Sequence, residues 1–110
     1  VDAVFIPTDN TIVAGLESVI KIGVDNKLPI FAADVDSVKR GAVAAMGFDY
    51  YQHGRQTGAM AAKILNGTKP ESLPVEFQKE LQLHINAGFS RQMGLEPPAE
   101  MVKKATQVYQ

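Results

Sequence analysis

The chain has 110 residues, enough for one small domain. Hydrophobic residues make up 45% and charged ones 21%, ordinary proportions for a water-soluble globular protein, and the net charge of −1 excludes the basic footprint of a nucleic-acid or anionic-membrane binder. Cysteine is absent, which excludes disulfides, thiolate metal sites and cysteine nucleophiles, and no apolar run approaches the ~20 residues of a membrane-spanning helix. The sequence opens on a strand pattern, with neither Met nor a signal peptide, so a piece of a longer protein is expected.

The first predicted element is the strand Ala3-Val4-Phe5-Ile6, which breaks off at Pro7-Thr8-Asp9-Asn10. Ile12, Val13, Leu16, Val19, Ile20 and Val24 then fall on one face of a predicted helix. Thr8, Asp9 or Asn10 would cap it by accepting from the free N–H groups of its first turn. Asn26-Lys27-Leu28-Pro29 closes the helix and leads to a second strand, Pro29-Ile30-Phe31-Ala32-Ala33, which runs into Asp34-Val35-Asp36-Ser37. A third apolar run, Ala42 to Met46, enters Gly47-Phe48-Asp49-Tyr50. Short buried runs alternating with helical stretches predict parallel strands, and ligands of such sheets bind beyond the strands' carboxyl ends. Asp9, Asp34 and Asp49 are therefore expected on one rim.

Tyr50 to Asn66 is the next predicted helix, capped by Asp49 and ended by Asn66-Gly67. Its small residues, Gly54, Gly58, Ala61 and Ala62, predict close approach to a sheet or another helix. After the loop Thr68 to Pro74, apolar residues at Val75, Phe77, Leu81, Leu83 and Ile85 alternate with polar ones, broken only at Lys79. That pattern predicts a half-buried strand, at an edge or bent. A short helix from Asn86 to Met93 stops at Gly94, and Pro97-Pro98 introduces a last helix containing Met101, Val102, Ala105 and Val108. Three strands and an irregular fourth make a thin core, so either self-association or packing on a missing part of the parent is expected.

Pro7-Thr8-Asp9-Asn10 holds more polar side chains than one cap needs, and a strand end meeting a helix start suits an anionic group such as a carboxylate. Asp34 and Asp36 beside Ser37 fit an Asx turn or a short-helix cap better than they fit a site acid. Asp49 with Tyr50 and Tyr51 places a carboxylate beside aromatic faces, an arrangement suited to an ammonium-bearing ligand, although both rings also make sense as packing. His53 and His84 stand in no metal-ligand spacing. No G-x-S-x-G elbow and no phosphate-binding loop occurs, so neither catalysis nor a cofactor is expected.

Asp2 to Thr11, Leu28-Pro29-Ile30-Phe31, Gly41-Ala42-Val43-Ala44, Gly47-Phe48-Asp49-Tyr50-Tyr51, Gly54-Arg55-Gln56-Thr57-Gly58, Leu73-Pro74-Val75-Glu76 and Ile85-Asn86 together resemble one family. It is the substrate-binding proteins of ABC importers (periplasmic binding protein type I fold), in the branch with tryptophan- and tyrosine-type amino-acid binders. The similarity covers nearly the whole chain and corresponds to the family's C-terminal part. The resemblance implies an α/β fold, a Rossmann-like parallel sheet with flanking helices that is a fragment of a two-lobed protein. Residues 1–47 would belong mostly to one lobe, 48–51 and 83–86 to crossovers, and 52–82 would pack on the other lobe.

It further implies an extracytoplasmic receptor, periplasmic or membrane-anchored, that closes on a small ligand and passes it to a permease without chemistry. The ligand would be an amino acid, held by Thr8, Asp9, Asn10, Asp34, Asp49 and Tyr50. In that arrangement Thr8 and Asn10 hydrogen-bond polar atoms, Asp9 and Asp49 meet an ammonium group, and Tyr50 flanks the ligand. Half of the family's cleft, its signal peptide and its lipid-attachment cysteine are absent from these residues. Two alternatives share the fold: the effector domain of a sugar- or purine-responsive repressor, and a flavodoxin-like receiver. The receiver needs a strand-terminal Lys that this chain lacks.

Overall fold

The computed structural model describes residues 1–78 and 80–110. They form two units, one of residues 1–47 and 82–110 and the other of residues 48–81. In the first unit a five-stranded sheet has the order β1 (Val4–Ile6), β2 (Ile30–Ala32), β3 (Ala44–Gly47), β4 (Gln82–Asn86), β5 (Gln107–Tyr109). β1, β2 and β3 are parallel, β4 is antiparallel to β3, and β5 is parallel to β4. The three parallel strands follow from their connections: a parallel return needs a crossover, and here helical segments supply it.

The first crossover is not the continuous helix that the apolar spacing predicts. It breaks at Gly15 into α1 (Asn10–Ala14) and α2 (Leu16–Asp25). The Gly15 N–H donates to Ile12 and closes α1. Glycine is about 1 kcal/mol less favourable than alanine inside a helix, so the break falls where propensity is weakest. Leu16 and Ile20 of α2 are buried against Ile6, Ile30 and Ala32 of the sheet. The second crossover contains only α3 (Asp36–Lys39), whose Val38 is fully buried. Arg40 donates from Nε and Nη2 to the two carboxylate oxygens of Glu17 at 2.8 and 2.9 Å. That paired hydrogen bond ties α2 to the end of α3 and holds the Glu17 carboxyl below its ordinary pKa.

β4 is shorter than its alternating sequence predicts and is not at an edge. It begins at Gln82 and lies between β3 and β5. A strand requires a hydrogen-bonding neighbour, and β3, its partner here, ends at Gly47, opposite Gln82. Upstream, Val75 and Phe77 are 84% and 83% exposed. Lys79, where the alternation breaks, lies outside the described residues. Asn86 caps α5 (Ala87–Gln92) by accepting from the Phe89 N–H at 3.0 Å. The last helix also differs: α6 (Ala99–Lys104) ends before Ala105, and Val108 belongs to strand β5.

Along the register, Ile6, Ala32 and Ala45 fall on one face of the sheet, joined by Ile30 and by Leu16, Val38 and Met93 in the buried core. Phe5, Phe31 and Ala44 line the other face, where Phe5 is 65% exposed and Met46, two residues beyond Ala44, is 61% exposed. A hollow of about 190 Å³ on that side is lined by Phe31, Ala44, Ile85, Leu95 and Met101.

In the second unit, α4 (Tyr50–Leu65) is capped at one end by Asp49, which accepts from the Gln52 N–H at 3.0 Å. At the other end Asn66 is the C-cap, and Gly67 follows with φ of +98°, a conformation glycine adopts without strain. A 3-10 turn, Pro70–Ser72, leads into the return segment. Gln56 donates to Glu76 and to the Phe77 carbonyl at 3.0 and 3.1 Å, fastening that segment to the helix. The small residues of α4 do not serve close packing here: a Cβ at Gly54 or Gly58 would meet nothing within 4 Å.

Candidate functional site

The parallel ladder aligns Ile6 with Ala32 and Ala32 with Ala45. β1 and β2 therefore finish level, and the residues that follow them emerge at one edge of the sheet. Thr8, Asp9 and Asn10 follow β1 there, and Asp34 follows β2. Both Gly47, the last residue of β3, and Gln82, the first of β4, stand at this same edge.

Asp9 and Asp34 each have a structural duty. Asp9 Oδ1 accepts from the Ile12 N–H at 3.0 Å and caps α1, while Thr8 and Asn10 are exposed. Asp34 is held at two points, its Oδ1 accepting from the Ser37 N–H at 2.9 Å and its Oδ2 from the Ser37 hydroxyl at 2.8 Å. Ser37 is fully buried, so Asp34 is anchored on a rigid base. The capping and Asx-turn roles foreseen for these residues are thus real. They do not exhaust the carboxylates, because an ionised carboxylate offers about four lone-pair sites. Asp34 uses two on Ser37 and Asp9 uses one. Asp36, in the first turn of α3, is exposed.

The other two candidates belong to the second unit. Asp49 caps α4. Tyr50 is 50% exposed, with its ring edge-on to Phe48 at 5.0 Å between centroids. The Phe48 ring also lies 4.9 Å from the His53 imidazole. His53 Nδ1 is 3.1 Å from Gln78 Oε1, and His84 is hydrogen-bonded to Gln82. Among the described residues no histidine is paired with an acid, and no group of three His, Cys, Asp or Glu side chains converges as a metal site.

The family model for ABC transporter substrate binding proteins matches residues 1–109. This chain belongs to that family. It is 37% identical over 86 residues to a tyrosine-binding protein of Clostridioides difficile, covering 78% of this chain and 25% of that protein. A conserved domain protein of Vibrio cholerae has a similar structure, with a TM-score of 0.88 and 38% identity over 97% of this chain and 36% of the other. An ABC domain from Streptococcus pneumonia solved in complex with L-Trp gives a TM-score of 0.87 and 32% identity, covering 98% of this chain and 37% of the other. The family is one of transport binding proteins, and the amino-acid branch named from the sequence is the one its relatives represent. Neither the repressor effector domain nor the receiver finds support. The chain spans between 25% and 37% of the length of these relatives.

Gln82 does not stand out in the sequence. The register places Gln82 at the carboxyl edge, and that register depends on a pairing with β3 from 35 residues away in sequence.

Proposed function

We propose that this chain is part of an extracytoplasmic receptor for an amino acid, periplasmic or membrane-anchored, which closes on its ligand and delivers it to an ABC permease. The observation that carries the reading is the anchored Asp34 carboxylate, fixed by buried Ser37 with lone pairs to spare at the carboxyl edge of parallel strands. A carboxylate held in advance costs little ordering when an ammonium group arrives. Thr8, Asp9 and Asn10 add acceptors and donors on the same edge. Asp49 and Tyr50, which the resemblance also names, would contribute a charge and an aromatic face. The Trp- and Tyr-binding relatives support a ligand with an aromatic side chain. No bond is made or broken: binding is coupled to hinge closure.

Calorimetry of the full-length protein with L-tryptophan and L-tyrosine tests this. Saturable binding of at least one is expected, and Asp34→Asn should weaken it. Binding of neither amino acid would reject the ligand class.

A further inference from the structure

One half-buried side chain at the candidate edge has no role in the site described above. Gln82 opens β4, opposite Gly47, where the sheet meets the proposed ligand. Two residues on, and therefore on the same sheet face, His84 Nε2 lies 3.0 Å from Gln82 Oε1. The phenol of Tyr109, on neighbouring β5, reaches His84 Nδ1 at 3.5 Å, with the two rings 6.1 Å apart.

With the Gln82 amide oxygen turned toward His84, one tautomer fits: an amide oxygen only accepts, so His84 Nε2 carries the proton. In neutral imidazole Nδ1 is then the acceptor, and the Tyr109 hydroxyl donates to it. The chain Tyr109 O–H to His84, His84 Nε2–H to Gln82 Oε1 turns the Gln82 carbonyl inward along β4. The Gln82 amide N–H groups then face away from His84, and since no side-chain nitrogen among the described residues is both buried and unpaired, these donors reach solvent at the carboxyl edge.

We infer that Gln82 is a ligand-contacting residue, oriented by His84 and Tyr109 to donate a hydrogen bond to the ligand's carboxylate. This rests on the amino-acid reading and adds the half of recognition that the acids cannot supply, because an amino acid presents a carboxylate as well as an ammonium group. Only β3 separates β2 from β4, so the Asp34 and Gln82 strands are about 10 Å apart, two strand spacings. Asp34 meets the ammonium end and Gln82 the carboxylate end. His84 and Tyr109 are positioning residues.

Three variants of the full-length protein test the assignment by calorimetry with L-tryptophan and L-tyrosine. Gln82→Met keeps the shape and removes the donors, and should weaken binding about ten- to a hundred-fold, the loss of a hydrogen bond to a charged group. Gln82→Glu should weaken it at least as much, by setting a carboxylate against a carboxylate. Asp34→Asn reports the ammonium end separately. Thermal melts matching wild type establish that each variant is folded. The imidazole nitrogen resonances of His84, recorded without ligand at alkaline pH, should show a protonated Nε2. Wild-type affinity in folded Gln82→Met would overturn the role of Gln82 alone, and a protonated Nδ1 would overturn its support by His84. Failure of wild type to bind either amino acid would reject the amino-acid reading itself.

Discussion

Gly47 and Gln82 face each other as the last pair of the β3–β4 ladder, and the chain leaves the first unit directly after one and re-enters it with the other. Both connections to the second unit thus start side by side from one pair of the ladder. Under the receptor reading, this pair is the fixed base of a hinge, and backbone rotation is taken up beyond it, at Phe48 and Asp49 on one connection and before Gln82 on the other. The resemblance implies a crossover at 83–86, and those residues are the part of β4 that follows Gln82, paired with β3 and β5.

The base is closely fitted at Gly47. A Cβ there would lie 2.9 Å from the Ala33 carbonyl oxygen and 3.4 Å from Val35 Cγ1. The Ala33 oxygen is backbone and cannot swing aside, so Gly47→Ala should destabilise by about 1–3 kcal/mol, the usual cost of overpacking. Urea denaturation checks this. An unchanged midpoint would mean that the Asp34 loop yields freely.

Asn86 is buried at the far end of the same strand. Its Nδ2 donates to the Val38 carbonyl at 2.9 Å, and its Oδ1 accepts from the Phe89 N–H at 3.0 Å, so one side chain joins α3, β4 and α5. Asn86→Asp keeps the cap but turns a donor into a second acceptor against the Val38 carbonyl. A loss of about 1–3 kcal/mol is expected, the cost of a buried polar group left without its partner. Asn86→Ala should lose the cap as well and fall at or above that range. If aspartate is tolerated as well as asparagine, the Val38 bond contributes nothing.

Much of this was legible in the sequence because it is local. The three parallel strands ended in polar clusters, and Asp9, Asp49 and Asn86 announced helices that begin where those residues stand. What escaped was non-local. Val108 fits a helical spacing and a three-residue strand equally well, and only pairing with β4 decides for the strand. Val75 and Phe77 alternate as a strand should, but no described strand lies beside them. The Ser37 anchor of Asp34 was half legible, since an Asx turn predicts the backbone bond and not the burial of Ser37.

Both units carry uncovered apolar side chains. In the first, Phe5 and Met46 stand out from the sheet face opposite the core, and in the second, Tyr51, Leu65, Val75 and Phe77 are each at least 70% exposed. A parallel sheet is ordinarily covered on both faces, and apolar patches of this kind mark interfaces. The 110-residue chain on its own is therefore expected to self-associate, with an apparent mass in light scattering that rises with concentration. Phe5→Ser together with Met46→Ser should lower that mass if the open sheet face drives association. A concentration-independent monomer would remove this expectation.

Asp49 separates the roles of cap and ligand more cleanly than Asp34 does. Its only recorded partner among the described residues is the Gln52 N–H, and asparagine caps a helix about as well as aspartate. Asp49→Asn should therefore leave the melting temperature unchanged while removing the charge offered to an ammonium group. In the full-length protein it should weaken amino-acid binding by about 1.5–3 kcal/mol, the range for hydrogen bonds to charged groups. Asp34→Asn differs because Asp34 accepts twice from Ser37: the amide keeps the backbone bond at Oδ1 and keeps the other only in reverse, with Nδ2 donating to the Ser37 hydroxyl, so affinity should fall while the melt stays close to wild type. Affinity unchanged in Asp49→Asn, measured by calorimetry beside a matching thermal melt, would return Asp49 to capping alone and leave Asp34 as the carboxylate that meets the ammonium group.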